Sequence, residues 1–289
     1  MSAIALVFLS VLSDIMIPIA IGGGIALILG VVIVITAKFF DVPVDEKLES
    51  IKALLPGANC GACGFSGCEA YADALAQGEP NAGRCPVGGP DMAEELAELL
   101  GLAKPDFIPE TAQVFCQGTT ENTNKRYEYA GTPTCIAAAG LFTGPNSCAY
   151  GCLGFGDCIA VCQFGAIGIV NGIAVIDSSK CTACGMCVKT CPKELIRIIP
   201  KHLNAYTVRC RNKWPGIQTH KHCKVGCIGC QRCFKACEYG AITMDGPLAV
   251  IDPDQCTHCG ECLSVCPTKA IRNGLTGNVP EQIPSEEAG

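Results

Sequence analysis

The sequence has no basic residue before Lys38, so it is read as carrying no cleavable secretory signal. Aromatic residues are 6% of the chain, charged residues 17%, and there is one tryptophan. A large core built on aromatic anchors is therefore not the expected organiser. The acidic balance, with a pI near 5.3, argues against generic nucleic-acid binding. There is no Walker loop, no GxGxxG after a strand, and no Ser-His-Asp order to support nucleotide binding or acyl transfer. What the 289 residues do contain is 24 cysteines. Small cysteine-rich folds are held by disulfides or by metals, according to compartment. The absence of an export signal favours a reducing location and hence metal.

The first 37 residues carry one charged side chain, Asp14. From Ile15 to Thr36 the run IMIPIAIGGGIALILGVVIVIT is long enough to cross a bilayer as one helix, which takes ~20 apolar residues. A buried core helix is the alternative. Gly22, Gly23 and Gly24 permit close approach of a neighbouring helix, although glycine is also common in such spans. Lys38, Lys47 and Lys52 follow the run, which places the rest of the chain on the cytoplasmic side. Asp14 then lies at the opposite end, as an interfacial acid or as a group with an ion role.

A glycine-rich stretch, LPGANCGACGFSGC, brings Cys60, Cys63 and Cys68 together, and a helix over Glu69 to Gln77 returns the chain to Cys85. Four such thiolates select an iron–sulfur cluster or zinc. An amphipathic helix over Asp91 to Leu102 is expected next, then a linker with Pro105 and Pro109.

The strongest signal is an internal repeat. Cys135, Cys148, Cys152, Cys158, Cys162, Cys181, Cys184, Cys187 and Cys191 recur 75 residues later as Cys210, Cys223, Cys227, Cys233, Cys237, Cys256, Cys259, Cys262 and Cys266. Each copy holds the C-x2-C-x2-C-x3-C run of bacterial two-cluster ferredoxins, as CTACGMCVKTCP, CTHCGECLSVCP and CIGCQRCFKAC. The fourth cysteine of such a run ligates the other cluster. Cys181, Cys184 and Cys187 should therefore join Cys162. By the same rule Cys256, Cys259 and Cys262 join Cys237, and Cys227, Cys230 and Cys233 join Cys266. Zinc ribbons lack this crossed, proline-terminated arrangement. Phe155 stands where the second copy has Cys230. The expectation is that Cys148 substitutes, giving Cys148, Cys152, Cys158 and Cys191. Cys116, Cys135, Cys210 and Cys223 are then left for a sixth cluster, or as free buried thiols. A split in which Cys148 joins Cys135, Cys210 and Cys223 is also allowed. Strands at Ile173–Ile176 and Leu248–Ile251 should form hairpins, with cluster binding supplying much of the folding free energy.

Between Lys180 and Lys235 there are twelve Lys or Arg residues and one acid, Glu194. These cations compensate anionic clusters locally or form a docking face for a small acidic electron carrier.

The single span, the LPGANCGACGFSGC loop, the YGCLGFGDC variant and the doubled ferredoxin together resemble the B subunits of Rnf complexes, from the anchor to about Thr268. That resemblance implies an iron–sulfur relay component of a membrane-bound ferredoxin:NAD+ oxidoreductase that translocates Na+ or H+. It implies reduced ferredoxin and the other membrane and peripheral subunits as partners, five or six [4Fe-4S] clusters, and a prokaryotic inner-membrane location. It also places the Cys60, Cys63, Cys68 and Cys85 cluster near the membrane. The alternative is a membrane-tethered polyferredoxin serving a soluble oxidoreductase without ion pumping. No flavin, nicotinamide or quinone site is evident, so any NAD+ reduction falls to a partner. The expected fold is a single N-terminal transmembrane helix, a small 4Fe-4S domain and tandem α+β ferredoxin-like units. The expected divisions are an anchor over 1–40, a single-cluster domain over 41–104, and a linker with additional cysteines over 105–147. Two-cluster units follow over 148–200 and 201–272, then a disordered tail over 273–289.

Overall fold

The computed structural model describes residues 2–39, 46–201 and 206–273. The tail expected to be disordered, from residue 274 on, lies outside them. By contact the chain divides into one unit over Met1–Glu49 and another over Ser50–Gly289.

The first unit is dominated by α1, Ser2–Phe39, a 38-residue helix with no charge in its first turn and Lys38 in its last. At 1.5 Å per residue it is about 57 Å long. Its side chains are described without a break only from Ile21 to Thr36, and the side chain of Asp14 is not among them. Over the described residues alone, no helix is long and apolar enough to cross a membrane. That described stretch is apolar or glycine on every face up to Thr36. The Thr36 hydroxyl donates to Val32 O (2.8 Å) and Ile33 O (3.0 Å), so its polar group is satisfied within the helix.

Helix α2, Glu46–Leu54, starts with Glu46 and Glu49 and ends with Lys52, charges that complement the helix dipole. Helix α3, Cys68–Ala76, buries Tyr71, Ala72 and Leu75. The Tyr71 hydroxyl donates to Asn81 O and Ala82 O, both at 3.0 Å, and fixes the return of the chain. A 3-10 turn, Ala82–Arg84, is capped by the Asn81 side chain. Helix α4, Gly89–Leu100, buries Met92, Ala93, Leu96 and Ala97 along one stripe. Gly101 stops it in the left-handed conformation, φ 67°.

The remainder is built twice from one plan. In the first copy, strand β1 (Glu110–Val114) precedes helices α5 (Cys135–Gly140) and α6 (Asp157–Ala160). The hairpin β2 (Ile167–Val170) and β3 (Ile173–Ile176), helix α7 (Met186–Thr190) and strand β4 (Ile196–Pro200) follow. The hairpin turns at Asn171-Gly172, both with positive φ (49° and 80°), as a two-residue mirror-type turn requires. The second copy runs through β5 (Tyr206–Val208), α8 (Gly216–His222), α9 (Arg232–Ala236), the hairpin β6 (Ile242–Asp245) and β7 (Leu248–Ile251), α10 (Glu261–Ser264) and β8 (Ile271–Asn273). In each copy the first and last strands pair antiparallel and the hairpin stands apart, giving four two-stranded sheets among the described residues.

The β1–β4 pairing changes the expected division of the chain. Strand β1 lies inside the segment read as a linker, yet it closes the first copy by pairing with β4, Val114 opposite Ile196. In the second copy Val208 stands opposite Ile271. Ile196 and Ile271 are repeat equivalents, so Val114 corresponds to Val208. Cys116 therefore corresponds to Cys210, which linear spacing had matched to Cys135. The long segment between Cys116 and Cys148 is an insertion within the first copy.

Each copy has a small core of its own. Val114, Ile167, Ile173, Cys187 and Ile196 meet in the first, and Val208, Ile242, Leu248, Cys262 and Ile271 in the second. Cysteines line both cores, so the apolar area is too small to carry the fold alone.

Candidate metal centres

In the N-terminal loop, positive φ at Gly57, Asn59, Gly61 and Gly64 wraps the backbone around the thiols. The Asn59 side chain accepts from the Cys68 N–H (2.8 Å) and pins the start of α3 against the loop. A Cβ at Gly67 would sit 2.8 Å from Asn59 Oδ1, so a larger residue there would displace the Asn59 side chain that accepts from Cys68. Burial pushes the Cys85 thiol up, and the thiols of Cys63 and Cys60 add to it. The sulfur accepts from the Gly88 and Val87 N–H groups, which oppose that rise. The return helix thus brings Cys85 back to the loop cysteines.

Among the described residues of the ferredoxin-like region, cavities are lined by cysteines in fours. One is walled by Cys227, Cys230, Cys233 and Cys266, another by Cys237, Cys256, Cys259 and Cys262. Both cross the sequence as the C-x2-C-x2-C-x3-C pairing requires. In the first copy Cys187 is pushed up to about 12 by burial, then by Cys181, Cys184 and Cys162, which puts those four thiols together. Cys181 Sγ accepts from the Ala112 N–H (3.3 Å) on β1, and Cys162 Sγ from the Ala166 N–H (3.4 Å).

The third cavity departs from the sequence-based expectation. It is lined by Cys135, Cys152, Cys158 and Cys191, with Cys135 where Cys148 was expected. Helix α5 delivers Cys135. Asp157 accepts from the N–H groups of Cys135 (2.7 Å) and Ile136 (3.0 Å), and Thr134 caps the same helix end. Phe155, which replaces the missing thiol, packs against Tyr129 of the insertion at 5.5 Å. Cys158 is pushed up to about 12 by burial, then by Cys152, Cys135, Cys187 and Cys191.

Cys148 lies instead with Cys116, Cys210 and Cys223. A Cβ on Gly118 would sit 3.6 Å from Cys116 Sγ and 3.7 Å from Cys223 Sγ. Sequence reasoning misplaced Cys135 and Cys148 because it counted residues and not strands.

Among the described residues no three His, Cys, Asp or Glu side chains converge on a point suited to a single metal ion. Twelve of the thiols line cavities instead. Soft sulfur donors, backbone N–H groups aimed at sulfur and apolar walls are the surroundings that suit [4Fe-4S] clusters.

The groups also form a series. Besides burial, the thiol of Cys60 raises Cys184, that of Cys187 raises Cys158, and that of Cys152 raises Cys116. Cys227 raises Cys210, and Cys233 raises Cys262. Every cysteine group therefore has a neighbour, from Cys60 to Cys262.

Comparison with known sequences agrees with this distribution of thiols. Residues 55–87 match FeS, an Fe-S cluster family; residues 174–197 match a 4Fe-4S binding domain; residues 226–270 match a 4Fe-4S dicluster domain. The chain is 40% identical, over 90% of its length and 78% of the relative's, to the B subunit of the Na(+)-translocating ferredoxin:NAD(+) oxidoreductase complex of Acetobacterium woodii. It is 38% identical to the B subunit of the ion-translocating oxidoreductase complex of Methanosarcina acetivorans, over 88% of this chain and 96% of that one. It is 40% identical to the B subunit of the proton-translocating ferredoxin:NAD(+) oxidoreductase complex of Clostridium ljungdahlii, over 91% and 94%.

Proposed function

The chain belongs to the family of B subunits of ion-translocating oxidoreductase complexes, and from that premise we propose that it is the iron–sulfur electron relay of a ferredoxin:NAD+ oxidoreductase. The observation that carries the reading is the gathering of cysteines in fours around cavities in both ferredoxin-like copies. A relay needs neighbouring carriers, and this chain sets its thiols beside one another.

Bound [4Fe-4S] clusters would supply one-electron steps. The ligands are Cys60, Cys63, Cys68 and Cys85; Cys162, Cys181, Cys184 and Cys187; Cys135, Cys152, Cys158 and Cys191; Cys227, Cys230, Cys233 and Cys266; and Cys237, Cys256, Cys259 and Cys262. The protein itself makes and breaks no bond. It excludes water from the sulfurs and aims N–H groups at them, which favours the charged thiolate and tunes potential. Lys193 donates to Ala149 O (2.8 Å) and lies beside Cys148 and Cys191; burial pushes its ammonium down and the Cys148 thiol up, and each charge partly offsets the shift of the other.

Electrons enter at the second copy. Cys230 and Cys259 are the exposed cysteines among the described residues. Arg232 and Lys235 are exposed beside Cys230, with Lys221 and Lys224 on the same copy. An acidic ferredoxin meets that face with complementary charge. Lys201, which donates to Cys181 O (3.0 Å), is engaged internally and serves local compensation. Electrons leave towards membrane subunits from the N-terminal cysteines.

Helix α1 anchors the chain in the membrane. The uncharged run from Ile15 to Thr36 matches the ~20 residues a bilayer needs. Its exposed apolar side chains suit lipid, where an all-apolar helix satisfies its own backbone. Membrane extraction with partner subunits, a brown chromophore and acid-labile sulfide in anaerobic preparations test the whole reading. A colourless chain without labile sulfide, or one released by salt alone, overturns it.

A further inference from the structure

We infer that a groove between the two ferredoxin-like copies is a strand-addition site for an extended acidic segment of a partner subunit. The inference rests on membership of a complex, argued above, and adds a docking surface whose lining includes neither Cys230 nor Cys259.

Arg197, Ile198 and Ile199 of β4 line one side of a cavity of about 260 Å³. All three residues of β5 and all four of β7 line the other. Neighbouring strand residues point to opposite faces, so a cavity that touches each residue in turn runs along the strand edges. Those edges are the unpaired ones. β1 and β8, the partners of β4 and β5, supply no lining residue, and β6, the partner of β7, supplies only Asp245 at its end. The ladders agree. The Lys201 N–H donates to Pro109 O and the Phe115 N–H to Leu195 O, both at 2.7 Å, so alternation turns the peptide groups of Ile198 away from β1. The Asp252 N–H donates to Ala241 O (2.8 Å), which turns those of Ala249 and Ile251 away from β6. An extended peptide laid in the groove would meet backbone donors and acceptors from both copies.

Side-chain chemistry selects the peptide. The lining holds three cations, Arg197, Arg211 and Lys213, and one acid, Asp245. Arg197 is exposed and lies over the Phe115 ring at 5.4 Å. Arg211 meets Glu194 at 3.5 Å and Lys213 meets Asp245 at 3.1 Å, and both acids are well exposed. Such surface pairs are weak and exchange for an incoming carboxylate. Leu248 and Val208 are buried beneath them and give apolar residues of the peptide a floor. The volume is below the ~300–1,000 Å³ of most small-molecule pockets and suits the side chains of a strand. Pro200 ends β4 and Pro253 follows β7, so the open stretch is short. A second copy of this chain would bring the same cations against them, which disfavours self-pairing.

Calorimetry on the full-length protein, purified anaerobically, tests the site. The probe is a capped peptide of about eight residues in which glutamate alternates with valine. It should bind one per chain. The same peptide with proline in place of its two central valines, which lack N–H groups, should bind at least about tenfold more weakly. A lysine–valine peptide should not bind. R197E/K213E should keep the iron, labile sulfide and visible spectrum of the unaltered chain and bind the acidic peptide at least about tenfold more weakly. In the assembled complex, a photo-crosslinking residue at position 213 should capture an acidic segment of another subunit, identified by mass spectrometry. Equal affinity for the proline peptide would mean attraction of charge without strand pairing. Unchanged affinity in R197E/K213E would put the peptide elsewhere. Capture of ferredoxin, or of this chain's own residues 274–289, would give the groove another occupant. Each of these overturns the strand-addition site and leaves the relay standing, whereas an unaltered chain with no labile sulfide overturns the iron–sulfur reading itself.

Discussion

Ser147 Oγ lies 2.5 Å from His222 Nδ1, and the two residues are 75 apart, which is the repeat interval of the sequence. A residue that touches its own repeat equivalent lies on the symmetry element relating the copies. The contact therefore marks the pseudo-two-fold axis, beside Cys148 and Cys223. Around it the copies are sewn together by Thr123 Oγ1 donating to His222 O (2.8 Å) and the Lys224 N–H donating to Asn122 O (3.0 Å). Gln117 Nε2 donates to Lys269 O (2.8 Å), and Arg272 Nε donates to Gln117 Oε1 (3.2 Å). The His222 ring also packs 4.8 Å from Trp214.

His222→Ala should weaken this junction before it weakens either copy. It removes a side-chain hydrogen bond and a ring contact, together about 1–2 kcal/mol. The expected outcome is faster bleaching of part of the visible absorbance in air, while the N-terminal group keeps its spectrum. Uniform bleaching at the unaltered rate would show that the junction carries no stability of its own.

Asp157 holds the residue that repairs the first copy. Its carboxylate accepts two N–H groups at the start of α5, so Asp157→Ala leaves both without their partner. Loss of such a cap costs about 1–2 kcal/mol. Cys135 should then be held less firmly, and iron should fall by up to one cluster equivalent. Asp157→Asn keeps one acceptor and should recover most of the loss. Full iron in Asp157→Ala would mean that the cavity walls alone fix Cys135.

Much of this was legible in the sequence. The strands at Ile173–Ile176 and Leu248–Ile251 follow from the two-residue strand period, and the spacing of the runs sets together the cysteines that line two of the cavities. The exchange of Cys135 and Cys148 was not. An insertion between Cys116 and Cys148 breaks the constant offset, so linear counting paired Cys135 with Cys210. Only the register of β1 on β4 restores the true equivalence, and five residues of strand inside an apparent linker carry too weak a pattern to be read alone. Phe155 signalled that a thiol was missing, but nothing in the spacing joined it to Cys135.

Asp177 links pH to the first copy. The Ser179 hydroxyl donates to its Oδ1 (2.6 Å), the Ser179 N–H adds a second bond (2.9 Å), and these hold the carboxyl below its usual range. A depressed folded-state pKa contributes stability that is present above the unfolded value and is lost as pH falls through the folded one. Ser179→Ala should therefore lower stability slightly at neutral pH, and the difference should vanish once the pH falls below the carboxylate range. The group is largely exposed, so the effect is small. At the equivalent Asp252, Oδ1 accepts from the Asp254 N–H (2.9 Å), and position 254 carries no hydroxyl to remove. Thermal unfolding at several pH values checks the sign. A gap that widens on acidification would contradict it.

Cys85→Ala should separate receiving electrons from delivering them. Cys85 is buried and brought to the Cys60 loop by α3 and the Asn81 turn, so its loss unseats the N-terminal group. The ferredoxin-like copies do not depend on it for their cores. The variant should hold about four irons fewer than the unaltered chain and still be reduced by reduced ferredoxin. That reduction should slow as ionic strength rises, because the exposed cations beside Cys230 steer the encounter. Delivery to membrane partners should fail. The Cys60 thiol neighbours Cys184, which makes the N-terminal group the outlet of the series. A Cys85→Ala chain that still passed electrons onwards in the assembled complex would place the outlet elsewhere and reverse the direction assigned to the relay.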